Sequence, residues 1–219
     1  MTRIAIADDH RLFRKGMASL LGSLEGIEVV LEAENGHSLL QLMQEIPVDI
    51  LITDLEMPEM DGFAASKIIR EKYPDVKILV VSRLTSKEAV FQVMQIGAHG
   101  YFSKDSNPDQ LQDAIFSIKE KDFYFGRELG PVIREALLWE KKSKKANESG
   151  DVSLTRREVE VIRLACKEYN SLEIASKLFI NVRTVETHRK KIMEKTGAKN
   201  FIGVVLYALR NDLVGLEEI

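Results

Sequence analysis

Five continuous apolar segments alternate with five segments of helical periodicity in the first part of the chain. The apolar segments span residues 3–8, 27–33, 48–54, 76–82 and 98–102, and the helical ones span 10–22, 37–46, 62–72, 86–96 and 108–120. Strands that are apolar throughout, rather than at alternate positions, are typical of a parallel sheet covered on both faces. The pattern therefore predicts a doubly wound α/β domain with a five-stranded parallel sheet and right-handed crossovers.

From Leu154 onward the periodicity is wholly helical. It predicts four helices, at residues 156–167, 171–178, 182–196 and about 200–211. Caps are predicted for three of them: Thr155 with Glu158 as a capping box, then Asn170 or Ser171, then Asn181. The short connection Phe179-Ile180-Asn181 has the length expected within a helix-turn-helix.

A polar segment separates the two regions. A helix is predicted at 128–142, and the stretch that follows, up to Asp151, has Ala146 as its only apolar residue. Such a composition is typical of a flexible tether, which permits docking and release of the domains it joins. The predicted organisation is thus 1–124 for the α/β domain, 125–152 for the linker and 153–219 for the helical domain.

The charge is distributed unevenly between the two regions. The formal net charge is −3, with a balance of −7 over residues 1–124 and of +3 over residues 154–219. An acidic half joined to a basic half suggests different partners, the basic half favouring nucleic acid. Ordinary surface variation is the alternative.

Cysteine usage and hydropathy place the chain in a broad class. Cys166 is the single cysteine, so no disulfide forms within the chain, and its apolar surroundings predict a buried structural thiol. No apolar run approaches the length of a membrane span, and Met1 leads directly into a strand. A soluble cytoplasmic protein without a membrane partner is expected.

Polar and acidic residues stand where four of the predicted strands end. They are Asp8 and Asp9, Asp54, Ser82 and Lys104. Since the carboxyl ends of parallel strands meet at one edge of a sheet, these side chains should lie together. Acids gathered in this way repel one another unless a cation lies between them. Mg2+ is the ion expected there, because its preferred ligands are carboxylates, carbonyls and water. The arrangement predicts a Mg2+-dependent phosphoryl site.

These residues also allow other interpretations. An acid at a strand end is often a helix cap, which is a credible role for Asp8 or Asp9 taken singly. The Gly-x-x-x-x-Gly-Lys-Ser/Thr motif of a P-loop is absent. A haloacid-dehalogenase-type phosphatase is disfavoured because Glu56 stands where its second Asp is expected. His10, His37 and His99 show no metal-ligand spacing, and His10 is expected at a helix start.

Taken together, these motifs resemble those of two-component response regulators of the NarL/FixJ group, with a flavodoxin-like receiver domain and a LuxR-type helix-turn-helix. The resemblance implies that Asp54 accepts a phosphoryl group. It also implies that Asp9, Asp54 and the backbone carbonyl of Glu56 ligate Mg2+ directly, and that Asp8 acts through water. Lys104 and Ser82 would contact the phosphoryl oxygens, and Tyr101 would act with Ser82 as a switch. No enzyme activity is expected.

The C-terminal resemblance rests on four segments. They are Leu154 to Ile162, Glu173-Ile174-Ala175, Arg183 to His188, and Ile192 to Gly197. In the third helix Val185, Ile192 and Thr196 share one face, which should pack on the scaffold. The other side should then enter the major groove.

Specific DNA contacts follow from that orientation. Lys190 and Thr187 are the candidates for base edges, with Glu186 affecting sequence preference. Arg183, Thr184, Arg189 and Lys191 are expected to contact phosphates.

The last helix carries more apolar residues than a small domain is expected to bury. They are Ile202, Val204, Val205, Leu206, Ala208 and Leu209. An exposed remainder predicts a self-association face. The resemblance implies that this helix pairs two DNA-binding domains.

The sequence thus predicts a transcription regulator switched by phosphorylation of Asp54. The expected partners are a sensor histidine kinase, a double-stranded DNA operator, RNA polymerase and a second copy of the chain when active. Two alternatives stay open: a DNA-binding dimer regulated without phosphorylation, and a phosphorelay intermediate with a protein-binding output domain.

Overall fold

A computed structural model describes residues 1–83, 86–125, 153–167, 169–211 and 213–215. The strands are β1 (Thr2–Ala7), β2 (Ile27–Ala33), β3 (Ile50–Thr53), β4 (Lys77–Ser82), β5 (Gly100–Ser103) and β6 (Tyr124–Phe125). The helices are α1 (Arg11–Gly22), α2 (Gly36–Leu42), α3 (Gly62–Lys72), α4 (Lys87–Gln95), α5 (Asp109–Lys121), α6 (Arg156–Cys166), α7 (Ser171–Leu178), α8 (Val182–Thr196) and α9 (Phe201–Arg210).

The strands form one parallel sheet in the order β2-β1-β3-β4-β5-β6. The order reverses between β1 and β3, which is where ligands bind in open α/β sheets. The five predicted strands and the doubly wound architecture are confirmed. The two-residue β6 was not predicted, because a strand that short leaves no periodic signal; it pairs Tyr124 with Gly100 at the sheet edge.

Two apolar layers cover the sheet. One contains Ile4, Ile52 and Val81 of the strands, packed with side chains of α1 and α5. The opposite layer contains strand residues of the other parity, such as Leu51 and Val80, packed with α2, α3 and α4. Successive strand residues point to opposite faces, so burial on both faces accounts for the continuous apolar pattern of the sequence.

The C-terminal region is helical, as predicted. Thr155 and Glu158 form the expected capping box at α6. Asn170, rather than Ser171, caps α7 and forms a second capping box with Glu173. Asn181 caps α8, whose observed bounds equal the predicted 182–196. These caps satisfy backbone N–H groups that have no partner within the helix.

Some predictions fall outside the described residues. They are the helix at 128–142 and nearly all of the linker, so the domain boundaries stay predictions. The predicted helix at 37–46 is shorter, since α2 ends at Leu42. Cys166 is buried, as expected. Within the described residues, no helix is both long and apolar enough to span a membrane.

The turn after β3 depends on a close approach at Gly62, the first residue of α3. A Cβ atom built on Gly62 would lie 1.9 Å from the backbone carbonyl oxygen of Asp54. The amide of Gly62 donates to the carbonyl of Leu55 at 3.0 Å. A side chain at this position would therefore force the Asp54 backbone away from its place.

We predict that Gly62→Ala lowers the free energy of unfolding by about 1–3 kcal/mol, the usual cost of overpacking a buried contact. Gly16→Ala is the matched control in α1, because a Cβ there meets nothing within 4 Å. It should stabilise the chain by up to about 1 kcal/mol, the helix propensity difference between the two residues. Urea unfolding measures both; equal effects of the two variants would contradict the role of Gly62.

His99 is buried just before β5, and its ring is held as a hydrogen-bond acceptor. The amide of Ile78 donates to its Nδ1 at 3.0 Å. Burial first, and then the positive charge of Arg70, lower the pKa of His99 to about 3. The ring is therefore neutral in the folded chain at every pH above this value.

This gives the stability a defined dependence on pH. The unfolded chain binds a proton at His99 below about pH 6.5, whereas the folded chain does not, so stability falls as the pH drops from 6.5 toward 3. Between pH 7 and pH 5 the contribution amounts to about 2 kcal/mol. His99→Asn keeps an acceptor near the position of the histidine Nδ1. Between pH 7 and pH 5 it should lose about 2 kcal/mol less free energy of unfolding than the wild type. Urea titrations at both pH values, with the exposed His37→Asn as the control, measure the difference; identical slopes for all three proteins would refute it.

Candidate functional site

The carboxyl ends of four adjacent strands bring the predicted residues together. Asp8 follows β1, Asp54 follows β3, Ser82 ends β4 and Lys104 follows β5. The sheet register places Ser82 beside Ser103, and the amide of Lys104 donates to the carbonyl of Ser82 at 3.0 Å. The strand ends thus form one concave edge, as the sequence predicts.

Lys104 connects the two buried acids. Its Nζ lies 2.5 Å from Asp54 Oδ2 and 2.7 Å from Asp8 Oδ2. The exposed fractions of the three side chains are only 5%, 5% and 0% for Lys104, Asp54 and Asp8. The lysine also lies 4.7 Å from the ring centroid of Phe13, a contact that the sequence reasoning missed. The face of the Phe13 ring lies against the ammonium group, which is the arrangement of a cation–π contact.

The environment keeps Lys104 charged. Its burial by itself lowers the pKa, but hydrogen bonds and charge interactions with Asp54 and Asp8 outweigh burial, so that the pKa of Lys104 is raised. A permanent ammonium group therefore faces both carboxylates. Because two buried carboxylates share one ammonium, the group carries excess negative charge, which attracts a further cation.

Four side chains have ligand atoms that all lie within 4.8 Å of one another: Asp8, Asp9, His10 and Asp54. The ring Nδ1 of His10 lies 2.8 Å from Asp9, whose side chain is about one-third exposed. His10 precedes α1, as predicted, but it also borders the acid cluster. Its position directly after Asp8 and Asp9 is the local signal for this contact, but the lack of a second spaced histidine had favoured a role at the helix start.

The second oxygen of Asp54 is held by the turn. Asp54 Oδ1 accepts from the amide of Leu55 at 2.7 Å and, more weakly, from that of Glu56 at 3.4 Å. Glu56 itself is exposed. One carboxylate oxygen is thus fixed by the backbone, while the other faces Lys104. A carboxylate held in this way can act as a nucleophile through one defined oxygen.

Ser82 and Tyr101 occupy neighbouring strands beneath this edge. Ser82 is fully buried, and Tyr101 is 1% exposed, with its hydroxyl 3.5 Å from the carbonyl oxygen of Ser82. Burial raises the pKa of Tyr101 to about 12, so the phenol stays protonated at neutral pH. The two predicted switch residues are therefore adjacent, with the tyrosine in its inward position.

On α8, six of the seven predicted DNA-contacting side chains are exposed. They are Arg183, Thr184, Glu186, Thr187, Lys190 and Lys191. Val185 and Ile192 are fully buried on the opposite side. This agrees with the predicted orientation of the helix.

Arg189 is the exception, and the expected outward placement of its side chain is wrong. It is 2% exposed and lies with Val185 and Ile192 on the inner face, where positions i, i+4 and i+7 of a helix coincide. Its guanidinium stacks 4.2 Å from the ring centroid of Phe201 and donates to Ser171 at 3.3 Å. The predicted outward phosphate contact of Arg189 is thus corrected. In this arrangement its guanidinium is buried and contacts protein groups instead.

The apolar residues of α9 are also placed differently from expectation. All six residues predicted to leave an exposed apolar remainder are at most 7% exposed. The helix packs against α6, α8 and also α4 of the N-terminal domain. No open apolar face is therefore present on α9 in this arrangement.

Comparison with known sequences accounts for both halves of the chain. Residues 4–116 match the response regulator receiver domain, and residues 152–208 match the bacterial regulatory proteins of the luxR family. The oxygen regulatory protein NreC of Staphylococcus epidermidis is 35% identical over 215 residues, covering 97% of this chain and 99% of the relative. NreC of Staphylococcus aureus strain RF122 is also 35% identical, over 214 residues, with the same coverage.

Solved structures of RcsB resemble this chain over nearly its whole length. An RcsB–DNA complex is 28% identical with a TM-score of 0.57, covering 95% of this chain and 98% of the other. RcsB from Salmonella enterica serovar Typhimurium, bound to promoter P1flhDC in the presence of the phosphomimetic BeF3-, is 26% identical with a TM-score of 0.58 and similar coverage. With an acid and lysine site at the strand ends of its receiver domain and a LuxR-type helical domain behind it, this chain belongs to the two-component response regulators of the NarL/FixJ group.

Proposed function

We propose that this protein is a DNA-binding transcription regulator whose receiver domain accepts a phosphoryl group on Asp54 from a sensor histidine kinase. The observation that carries the proposal is the placement of the Asp54 carboxylate, with one oxygen fixed by the Leu55 amide and the other 2.5 Å from Lys104. Phosphoryl transfer depends mainly on such positioning and charge neutralisation. The chain then acts as a phosphoacceptor in signalling rather than as an enzyme that turns over a substrate.

The donor set fits Mg2+. The clustered oxygens of Asp8, Asp9 and Asp54 are hard ligands, and Lys104 neutralises only part of their charge. Asp9, Asp54 and the backbone carbonyl of Glu56 would hold the ion, and Asp8 would act through water. When bound, Mg2+ supplies charge stabilisation at the phosphoryl oxygens. Lys104 and Ser82 would hold those oxygens from the other side.

The switch role of Ser82 and Tyr101 follows from their adjacency. A phosphoryl group on Asp54 adds about two negative charges and new acceptor oxygens at the edge where Ser82 ends β4. Movement of Ser82 toward it would leave space that the inward Tyr101 ring fills. The tyrosine would thereby report the state of Asp54 to the surface around α4.

Asp54→Asn should abolish labelling by a small phosphodonor in the presence of Mg2+, because it removes the carboxylate that the Leu55 amide and Lys104 orient for attack. The exposed Asp105→Asn is the matched control and should label like the wild type. Mass spectrometry of the intact chain measures the incorporation. Full labelling of Asp54→Asn would defeat the assignment.

The two acids after β1 should differ in their effect on Mg2+ binding. Asp9→Ala should weaken binding by about tenfold or more relative to Asp8→Ala if Asp9 is the direct ligand and Asp8 acts through water, because a direct charged ligand contributes more than a water-mediated one. Fluorescence or calorimetric titration with MgCl2 alone measures both constants. A larger loss in Asp8→Ala would reverse the proposed roles.

DNA binding is proposed for the C-terminal domain. Arg183, Lys190 and Lys191 extend from the exposed side of α8, where they add positive charge to a helix that is buried on the other side. One exposed face and one packed face are what a recognition helix requires. The DNA-bound state of the RcsB relatives supports the same role here, and a homodimer on a double-stranded operator, with RNA polymerase as a further partner, follows as part of the proposal. A cytoplasmic location is proposed with it.

Lys190→Ala should cost about 1–3 kcal/mol on the cognate site and relax specificity there, as expected for a base contact. Lys191→Ala should instead weaken all duplexes alike and lower the salt slope by about one unit, as expected for a phosphate contact. Fluorescence anisotropy over a range of salt, on cognate and scrambled duplexes, measures both quantities. If the two variants behave alike, the proposed orientation of the helix in the groove is incorrect.

A further inference from the structure

A cleft of about 550 Å3 lies between α1 and α5, on the face of the sheet that these two helices cover. Val81 of β4 and Phe102 of β5 form its floor, and Met17 of α1 and Leu111 of α5 line its walls. These four side chains belong to the core and are at most 6% exposed. The cleft is therefore preformed, apolar inside and as large as the pockets that hold small organic ligands.

The open space of the cleft depends on a glycine of α1. Gly16 is exposed and lines the cleft, and a Cβ atom built on it meets no atom within 4 Å. No close approach of a neighbouring group requires glycine here, in contrast to Gly62. Glycine within a helix nevertheless destabilises it relative to alanine. The missing side chain at residue 16 instead leaves the cleft open along α1.

The ionisable side chains around the cleft are all basic. They are His10, Arg83 and Lys104, and within the part of the chain that the structure describes no carboxylate lines the cleft. Lys104 is already shared by Asp8 and Asp54, whereas Arg83 is exposed. A guanidinium at the edge of an apolar interior complements a molecule with an apolar body and an anionic head.

We propose that this cleft binds a small amphipathic organic anion, such as a medium-chain carboxylate. Its apolar body lies against Met17, Phe102 and Leu111, and its head lies at Arg83. Charge complementarity selects an anion over a neutral or cationic molecule of the same shape. This binding site goes beyond the proposed function and does not depend on it.

The cleft shares a wall with the acid site, so the ligand affects that site. Phe13 and Lys104 both line the cleft, with the lysine Nζ 4.7 Å from the ring centroid and 2.5 Å from Asp54. An anionic head at this edge adds a negative charge near Lys104, which weakens the hold of the lysine on an incoming phosphoryl group. This second part rests on the proposed function, because it needs Asp54 as the phosphoacceptor.

Calorimetric titration of the full chain with three amphiphiles tests the binding. Octanoate, octanol and octyltrimethylammonium have closely similar apolar chains and differ in the charge of the head. Octanoate should bind about tenfold more tightly than octanol, the effect of one charge-assisted contact, and the cation should bind most weakly. Arg83→Gln should remove the preference for octanoate and leave the affinity for octanol unchanged. Equal affinities for the three probes, or no binding of octanoate, would overturn the proposal.

Gly16→Leu tests the location, because its side chain would extend into the open space of the cleft. It should lower the affinity for octanoate by about tenfold or more, since the space is then filled. Gly22→Leu is the matched control: Gly22 is also an exposed glycine of α1 with nothing within 4 Å of a built Cβ, but it does not line the cleft. Circular dichroism verifies that both variants are folded.

Two results with Gly16→Leu would count against the site. Undiminished binding of octanoate would place the ligand elsewhere and overturn the proposal. If the wild type binds no octanoate and Gly16→Leu changes only self-association in sedimentation velocity, the cleft belongs to an interface with a second copy, which also overturns it.

The rate of Asp54 labelling by a small phosphodonor at fixed Mg2+ tests the effect on the acid site. Saturating octanoate should slow labelling of the wild type by about threefold or more and leave Gly16→Leu unaffected. An unchanged rate in the wild type would overturn the coupling. If no protein is labelled even without octanoate, the proposed function fails, whereas the calorimetric result on the cleft stands by itself.

Discussion

The sharing of one ammonium group by two buried carboxylates is the interaction on which the receiver site depends. Lys104 contacts Asp8 and Asp54 at the same time, and all three side chains are almost inaccessible to water. Removing one member of such a buried group leaves an uncompensated charge, which typically costs about 3–5 kcal/mol. The group is nevertheless incomplete, because two negative charges face one positive charge. This excess favours a cation at the site, and Lys104 lies where it would meet the proposed phosphoryl group.

The parallel sheet makes this arrangement possible. Asp8 and Asp54 are separated by two helices and two strands, and Asp54, Ser82 and Lys104 follow one another with one helix and one strand between them. The parallel strands nevertheless begin on one side of the sheet and end together on the other. Since the strands are buried on both faces, their polar side chains gather at the strand ends. Gly62 brings the start of α3 against the Asp54 carbonyl, so that the turn after Asp54 packs against this helix.

Much of this was predictable from the residue pattern, and the exceptions have physical reasons. Continuous apolar strands and polar residues at their ends are local signals, so β3, α3 and the closeness of Asp54 to Lys104 follow from them, whereas the ion pair between the two was not predicted. Arg189 was placed outside because arginine is usually exposed, although its spacing from Val185 and Ile192 is that of the inner face. Its burial depends on Phe201 and on Asp122 of another domain, which no local pattern reports.

The same limit explains α9 and His10. The exposed apolar remainder predicted for α9 is not present, because its six apolar residues are buried and the helix packs against α4 of the receiver as well as against its own domain. Packing between domains thus decides whether the apolar residues of a helix form an exposed or a covered surface. His10 contacts Asp8 and Asp9, its neighbours in the sequence, and only its closeness to Asp54 depends on the pairing of β1 with β3.

The site and the interdomain contact are joined by short, rigid elements. β5 spans only Gly100–Ser103, with Lys104 just after one end and Ala98, the partner of Asn200, just before the other. The chain from Ser82 leads into α4, whose last residues border α9. The proposed displacement of Ser82 and Tyr101 toward Asp54 would therefore occur only a few residues away from the surface that packs against α9. Because packed elements shift between discrete arrangements rather than deform continuously, a change at Asp54 would move β5 and α4 as whole units.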